Sequence, residues 1–340
     1  MKILLLGSNV QSREKISCYS DMQSYYLSRA LRDMGIEVFF HTSTIGNTEE
    51  FTQSVLSSAR DNNVDHIIAL GVRFFQRNPH EIGVKIQKEF SGLVCQIHDG
   101  SQLDDFPVDL NFCVKDDEYR YIDNENNRLT RHRKANHYIG WAADPKMFYP
   151  QQKENGTLRV FVDHSTFTDN SSDYTLNVLM SLSRLETDIA SGKVPGYNAL
   201  HVRTLSNSGL CDVDLTSAKV EPYNRYAVPA DLFSSELRSS HIFMVTHNES
   251  VGLCVLEAAM SGCFVYIPKG TIAIDLVSAV RCTEFTNAVD WRDVAKRITP
   301  DLNSLYVQKY NWLNVAQNII QGLIKFEKRE LPQKYRDLLK

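Results

Sequence analysis

Short runs of β-forming residues recur through the first third of the chain, with helical periodicity between them. The runs are Ile3–Leu6, Glu37–His41, His66–Leu70, Leu93–Ile97 and Leu110–Val114. Ile3–Leu6 is apolar throughout, the pattern of a parallel strand covered on both faces. Ser20-Asp21-Met22-Gln23 has the form of a capping box. It would open a helix carrying Tyr26, Leu27, Ala30, Leu31 and Met34, and Gly35 would stop it. Further helices are expected over 49–60, 80–90 and 116–122. Strand–helix alternation at this spacing predicts a doubly wound parallel sheet, which takes ligands beyond the C-terminal ends of its strands. Only Gly7 marks the first turn, so the G-x-G-x-x-G dinucleotide fingerprint is missing, which speaks against a dehydrogenase.

A chain of 340 residues is comfortable for two such domains. Its net charge of −4 argues against sequence-independent DNA binding, which needs a basic face. Seven cysteines occur without any C-x-x-C spacing. That fits free thiols in a reducing compartment, and neither a disulfide framework nor a zinc site. The apolar start is too short for a signal peptide, and no run approaches a transmembrane length. A cytoplasmic location follows as the expectation.

Residues 241–266 read as strand, polar corner, helix, glycine stop and strand. Ile242–Val245 is the first strand. Thr246–Ser250 is the corner. The helix runs from Leu253, with apolar residues on one side, to Gly262 at the C-cap position. A helix start offers unpaired N–H groups and a positive dipole end to a phosphate. Two carboxylates, Glu249 in the corner and Glu257 in the helix, can accept hydrogen bonds from vicinal hydroxyls. Phosphate on one edge and hydroxyls on the other describe a nucleotide sugar. The competing reading makes Glu257 an exposed helix residue and Glu249 a dipole-complementing cap.

Glu249, seven residues, then Glu257 resembles the E-x7-E segment of retaining glycosyltransferases with the GT-B fold, usually close to E-S-F-G-L-V-x-L-E-A-M-A-x-G-x-P-V. This chain keeps Glu249, Ser250, Gly252, Leu253, Leu256, Glu257, Ala258 and Gly262. The resemblance implies Glu257 on the ribose, Glu249 and Ser250 by the donor sugar, and the amides of Val251, Gly252 and Leu253 on the diphosphate. Two ordered segments agree with it. Gly140, Asp144, Phe148 and Pro150 are similar to the N-G-V-D-x-x-x-F-x-P segment that closes the N-terminal domain, with one residue inserted before the Asp. Pro229-Ala230-Asp231-Leu232 resembles the V-P-x-x-x-L segment before the last donor-site strand, and backbone up to Val228 would flank the base. His98 and Asp99 end the fourth strand, where the same enzymes often carry a His that meets a sugar. The family's Arg and Lys after the first strand of the second domain are replaced by His164, followed by Ser165, and by Asp169. Arg203, Arg225 or Lys269 would then have to neutralise the diphosphate.

The remaining features read as structural. The basic stretch 128–134 reads as a solvated loop, with a phosphate-facing or acceptor-facing role as the alternative. Asp212-Val213-Asp214 is a surface turn and not the metal-binding D-x-D of another glycosyltransferase fold. Residues 300–325 form one helix with Leu302, Tyr306, Tyr310, Leu313, Ile320 and Ile324 as its apolar stripe.

The expected fold class is α/β: two Rossmann-like domains facing across a cleft (GT-B). The first, 1–150, is the acceptor side. The second, 151–310, holds the donor. A helix and tail over 311–340 return to the first. The implied reaction moves a sugar from a nucleotide diphosphate sugar, a UDP-sugar first, to a hydroxyl of a saccharide, lipid-linked glycan, protein or modified nucleobase. It would retain configuration and use no metal or cofactor. Two alternatives stay open: an epimerase or hydrolase using His98, Asp99 and His164 as acid and base, and a silent nucleotide-sugar-binding protein.

Overall fold

The computed structural model describes residues 1–17, 19–42, 47–70, 78–98, 106–114, 136–163, 172–206, 209–215, 228–245, 253–268, 282–285 and 309–327. The chain divides into two compact units. One is Met1–Ala142 with Tyr310–Lys340, the other Ala143–Lys309.

The first unit is built on β1 (Lys2–Leu6), β2 (Glu37–His41), β3 (His66–Leu70), β4 (Leu93–His98), β5 (Leu110–Cys113) and β6 (Asn136–Tyr138), in the order β2-β1-β3-β4-β5-β6. Every neighbouring pair is parallel. Helices α1 (Tyr19–Asp33), α2 (Thr48–Asp61) and α3 (Pro79–Glu89) make the crossovers. One face of the sheet, with Leu4, Leu6, Ile67 and Val94, packs on Val55 of α2 and Ile86 of α3. Asn47 and Glu50 form a reciprocal capping box at the start of α2.

The second unit holds β7 (Gly156–Asp163), α4 (Ser172–Ala190), β8 (Tyr197–Ser206), β9 (Gly209–Asp212), α5 (Ala230–Ser239), β10 (Ile242–Val245), α6 (Leu253–Met260), β11 (Phe264–Pro268) and β12 (Cys282–Phe285). The sheet order is β12-β11-β10-β7-β8-β9, parallel except for the β8–β9 pair. The chain then returns to the first unit as α7 (Trp312–Glu327), which packs on α1, β5 and β6. A parallel sheet of β-formers with a return helix is the expected fold class.

Four local expectations are corrected. The first concerns the capping box at Ser20. Helix α1 already includes Tyr19, and Gln23 is buried instead of capping. Ser17 ties in the helix start, its N–H and hydroxyl both donating to Asp21 Oδ2 at 3.0 and 2.6 Å. Second, the helix expected over 300–325 does not run through 309–311, and its first part, with Leu302 and Tyr306, lies outside the described residues. Asn311 caps a new start by accepting from Asn314 N–H at 3.0 Å. Tyr310 therefore lies outside α7, and Leu313 is exposed. Third, Asp212 ends strand β9 and sits in no simple turn. Fourth, α6 is buried nearly all round, not on one side only. The helix expected over 116–122 and the basic stretch 128–134 lie outside the described residues.

Gly322 lets α7 sit close to the sheet. A Cβ there would lie 2.7 Å from both His137 and Phe112 side chains. Helix propensity alone would favour alanine by about 1 kcal/mol, while overpacking costs roughly 1–3 kcal/mol. Gly322→Ala is expected to lose about 1 kcal/mol net, read as a lower urea midpoint. A gain would mean that α7 does not rest on β5 and β6 at this point.

Candidate functional site

In the second sheet β7 has β8 on one side and β10 on the other. The connection therefore reverses direction across the sheet at the β7–β10 boundary. Open α/β sheets bind ligands beyond the C-terminal strand ends at such a reversal. Asp163 closes β7 in register with Val245, the last residue of β10. β7 and β10 thus end side by side at the reversal point, and the polar corner of residues 246–252 lies outside the described residues.

Helix α6 follows that corner and ends in a Schellman motif. Gly262 N–H donates to Ala259 O at 3.0 Å and Cys263 N–H to Ala258 O at 2.9 Å, with Gly262 at φ +78°. The stop turns the chain directly into β11. In this short helix Leu253, Val255, Leu256, Ala258, Ala259 and Met260 are all buried, and so is Glu257, at 2% exposure. The exposed-helix reading of Glu257 is thereby excluded. A carboxylate in an apolar helix interior is costly and uncommon unless something polar meets it.

The other candidates are distributed as follows. Leu253 opens α6 and is buried. Val228 is buried immediately before Pro229, the N-cap of α5. His98 ends β4 opposite Cys113, with its side chain outside the described set. Glu249, Ser250, Val251, Gly252, Asp99, His164, Ser165 and Lys269 lie outside the described residues. Arg203 is committed elsewhere. Its Nη1 donates to Glu236 Oε2 at 2.9 Å and its Nε lies 3.4 Å from Asp212 Oδ1. Asp212 also bonds His201 Nε2 at 2.9 Å. Among the described residues, no group of three His, Cys, Asp or Glu side chains is placed to hold a metal ion.

One residue beyond the sequence candidates belongs at the reversal point. Asp163 is a buried carboxylate at the end of the central strand β7. Its signal was in the chain: it is the first charged residue after the run Val160–Val162.

The second family-like segment proves to be architectural. Gly140 has φ +78°. Asp144 Oδ1 accepts from Lys146 N–H at 2.9 Å, and its carbonyl accepts from Met147 and Phe148 N–H. Phe148 then packs edge-on against Phe233 of α5. Gly140 thus turns the end of the first unit, and Asp144 with Phe148 shapes the start of the second.

No protein-family profile matches the sequence, and no curated protein matches it. Solved structures do. A sucrose-phosphate synthase from Thermosynechococcus elongatus aligns with TM-score 0.57 and 12% identity, over 96% of this chain and 99% of that one. A Listeria monocytogenes protein described as a UDP-N-acetylglucosamine 2-epimerase aligns with TM-score 0.56 and 11% identity, over 97% of each chain. HepE of Anabaena, in complex with UDP and glucose, aligns with TM-score 0.53 and 12% identity, over 96% of this chain and all of that one, at 100%. At these identities the likeness establishes the fold, that of GT-B proteins. Among the described residues no helix is long and apolar enough to cross a membrane.

Proposed function

We propose that the chain is a glycosyltransferase that takes a sugar from a nucleotide diphosphate sugar and passes it to a hydroxyl acceptor. The observation that carries this reading is Glu257, buried at 2% in apolar α6, the helix that follows β10 in the sequence after that strand ends beside β7 at the sheet's reversal point. A carboxylate is an acceptor that suits the hydroxyls of a ribose. The preceding corner supplies Glu249 and Ser250 toward the donor sugar, and the amides of Val251, Gly252 and Leu253 toward the diphosphate. The resemblance gives His98 and Asp99 of the first unit a role toward sugar or acceptor. UDP is the first nucleotide to test, because HepE was solved with UDP and with UDP-glucose. Retention of configuration and independence of metal belong to the same reading. With Arg203 paired to Glu236, charge stabilisation of the leaving diphosphate falls on helix amides and on Lys269 or Arg225.

Calorimetry with UDP and UDP-glucose tests the assignment. Glu257→Gln is expected to weaken nucleotide binding by about 1–3 kcal/mol, with the thermal midpoint close to that of the parent protein. Unchanged affinity would remove Glu257 from the ribose. A second reading is supported by the epimerase-like structure, which is aligned about as well as the synthase. A nucleotide-sugar epimerase or hydrolase would change or cleave UDP-N-acetylglucosamine with no acceptor present. A transferase would release UDP only when a hydroxyl acceptor is added.

A further inference from the structure

Helix α7 closes over one imidazole. His137 is the central residue of β6 and stands in register beside Phe112 of β5. Paired positions on neighbouring strands share a face of the sheet. The two rings meet edge to face, with centroids 6.3 Å apart and planes at 78°. Gly322 of α7 lies against both, so close that a Cβ would come to 2.7 Å from either ring. The imidazole also hydrogen-bonds the main chain of Asn318, one turn earlier in the same helix. Asn318 Nδ2 in turn donates to Ile139 O at 3.0 Å, so this stretch of α7 grips β6 and the residue after it.

A neutral imidazole suits this seam of aromatic ring, glycine backbone and one main-chain partner. A charged one does not. The ring is half-buried, and Lys325, one turn beyond Gly322, adds a like charge. Among the described residues Lys325 is the one charged group that acts on the ring. Phe112 of β5 is apolar, and Asn136 and Tyr138 alternate to the other face of β6. Burial first, then the Lys325 charge, hold the His137 pKa below 6.5, against the opposing pull of the Asn318 bond. We propose that His137 is an acid-sensitive latch for the second half of α7: the neutral ring holds Gly322 and the residues after it on β5 and β6, and protonation lets them go. The first turn has a separate hold, Trp312 stacked on Tyr26 of α1 with centroids 5.6 Å apart. A histidine kept neutral by the fold contributes stability above its unfolded pKa and loses it as pH falls through the folded one. Release therefore belongs below pH 6.5. The latch is independent of the sugar-transfer reading.

Amide hydrogen exchange of the full chain tests it, compared at about pH 8 and about pH 5 after correction for the intrinsic rate. Residues 319–327 should lose protection at the lower pH, while 312–317 and helix α2 keep theirs. His137→Phe keeps an aromatic ring in the seam and should abolish the difference. Lys325→Met should narrow it, because the ring then protonates more readily in place. Equal protection of 319–327 at both pH values would overturn the latch. So would the same loss in His137→Phe, or a loss shared equally by α2, which would be unfolding of the whole unit. Should His137→Phe fail to fold, the ring's own titration by NMR in the parent protein decides: a midpoint below that of the unfolded chain supports the latch, and one at or above it overturns it.

Discussion

Replacing Glu236 with alanine is expected to destabilise the second unit by about 3 kcal/mol. Glu236 belongs to α5 and is 6% exposed. Its Oε1 accepts from Arg159 Nη2 at 3.3 Å and its Oε2 from Arg203 Nη1 at 2.9 Å. Arg159 comes from β7 and Arg203 from β8. The register pairs Arg159 with His201 and Phe161 with Arg203, so both guanidinium groups rise on the face that carries Phe161. That face is covered by α5, with Phe161 against Phe233. Alanine leaves two cations under the helix without the anion between them. Removing one partner of a buried ion pair costs roughly 3–5 kcal/mol, and the lower end applies because Arg203 keeps Asp212 and some solvent. Urea unfolding with unchanged slope measures it. A methionine at 236 together with methionine at 159 and 203 should recover most of the loss, since it removes the charges as a set. The same geometry makes a functional statement. Arg203→Met should lower stability more than it lowers affinity for UDP; the opposite outcome would return Arg203 to the diphosphate site.

The sheets were legible because buried parallel strands are written as compact apolar runs. Glu37–His41, His66–Leu70 and Ile242–Val245 have the bounds expected from sequence. What escaped was short or polar. β6 is Asn-His-Tyr, held by pairing with β5 and by Asn111 Nδ2 donating to Asn136 Oδ1 at 3.3 Å, with no apolar run to announce it. β9 carries Asp212 because it is an antiparallel edge strand, where that carboxylate meets His201 and Arg203 of β8. The start of α7 at Trp312 is set by one side-chain oxygen on Asn311, which periodicity cannot detect. At the site, the spacing of Glu249 and Glu257 singled out the helix. Burial of Glu257 decides between a solvated and an inward carboxylate, and burial is a tertiary property. Arg203 shows the converse. A cation placed after a strand looks available in sequence, and only the fold reveals the glutamate that occupies it.

Lys153→Met is expected to cost about 3 kcal/mol, the scale of losing hydrogen bonds made by a charged donor. Residues 151–156 look like a polar linker, yet Lys153 Nζ donates to Arg238 O at 2.8 Å, Ser240 O at 2.5 Å and Ser261 O at 3.2 Å. The first two carbonyls close α5 and the third follows α6. Helix C-termini leave carbonyls without intrahelical donors and carry the negative end of the dipole, so one ammonium answers both ends. Cys263 Sγ bonds Leu237 O at 3.1 Å in the same place, and burial pushes its thiol pKa up. Methionine keeps the apolar stem and removes all three bonds. Arginine should restore part of the loss. A second readout is His241, whose Nδ1 accepts from Arg159 N–H at 3.1 Å. Burial, then the charge of Lys153, lowers its pKa from 6.5 to about 4. A histidine held neutral in the fold contributes stability above its unfolded pKa and loses it as pH falls through the folded one. The parent protein should therefore weaken between pH 6.5 and 4, and Lys153→Met should weaken less over that range, because His241 then protonates more readily in place. Because α6 carries Glu257, the variant should also bind UDP less tightly under conditions where it is fully folded. Full stability with an unaltered acid limb would mean that those carbonyls find other donors and that the segment only connects.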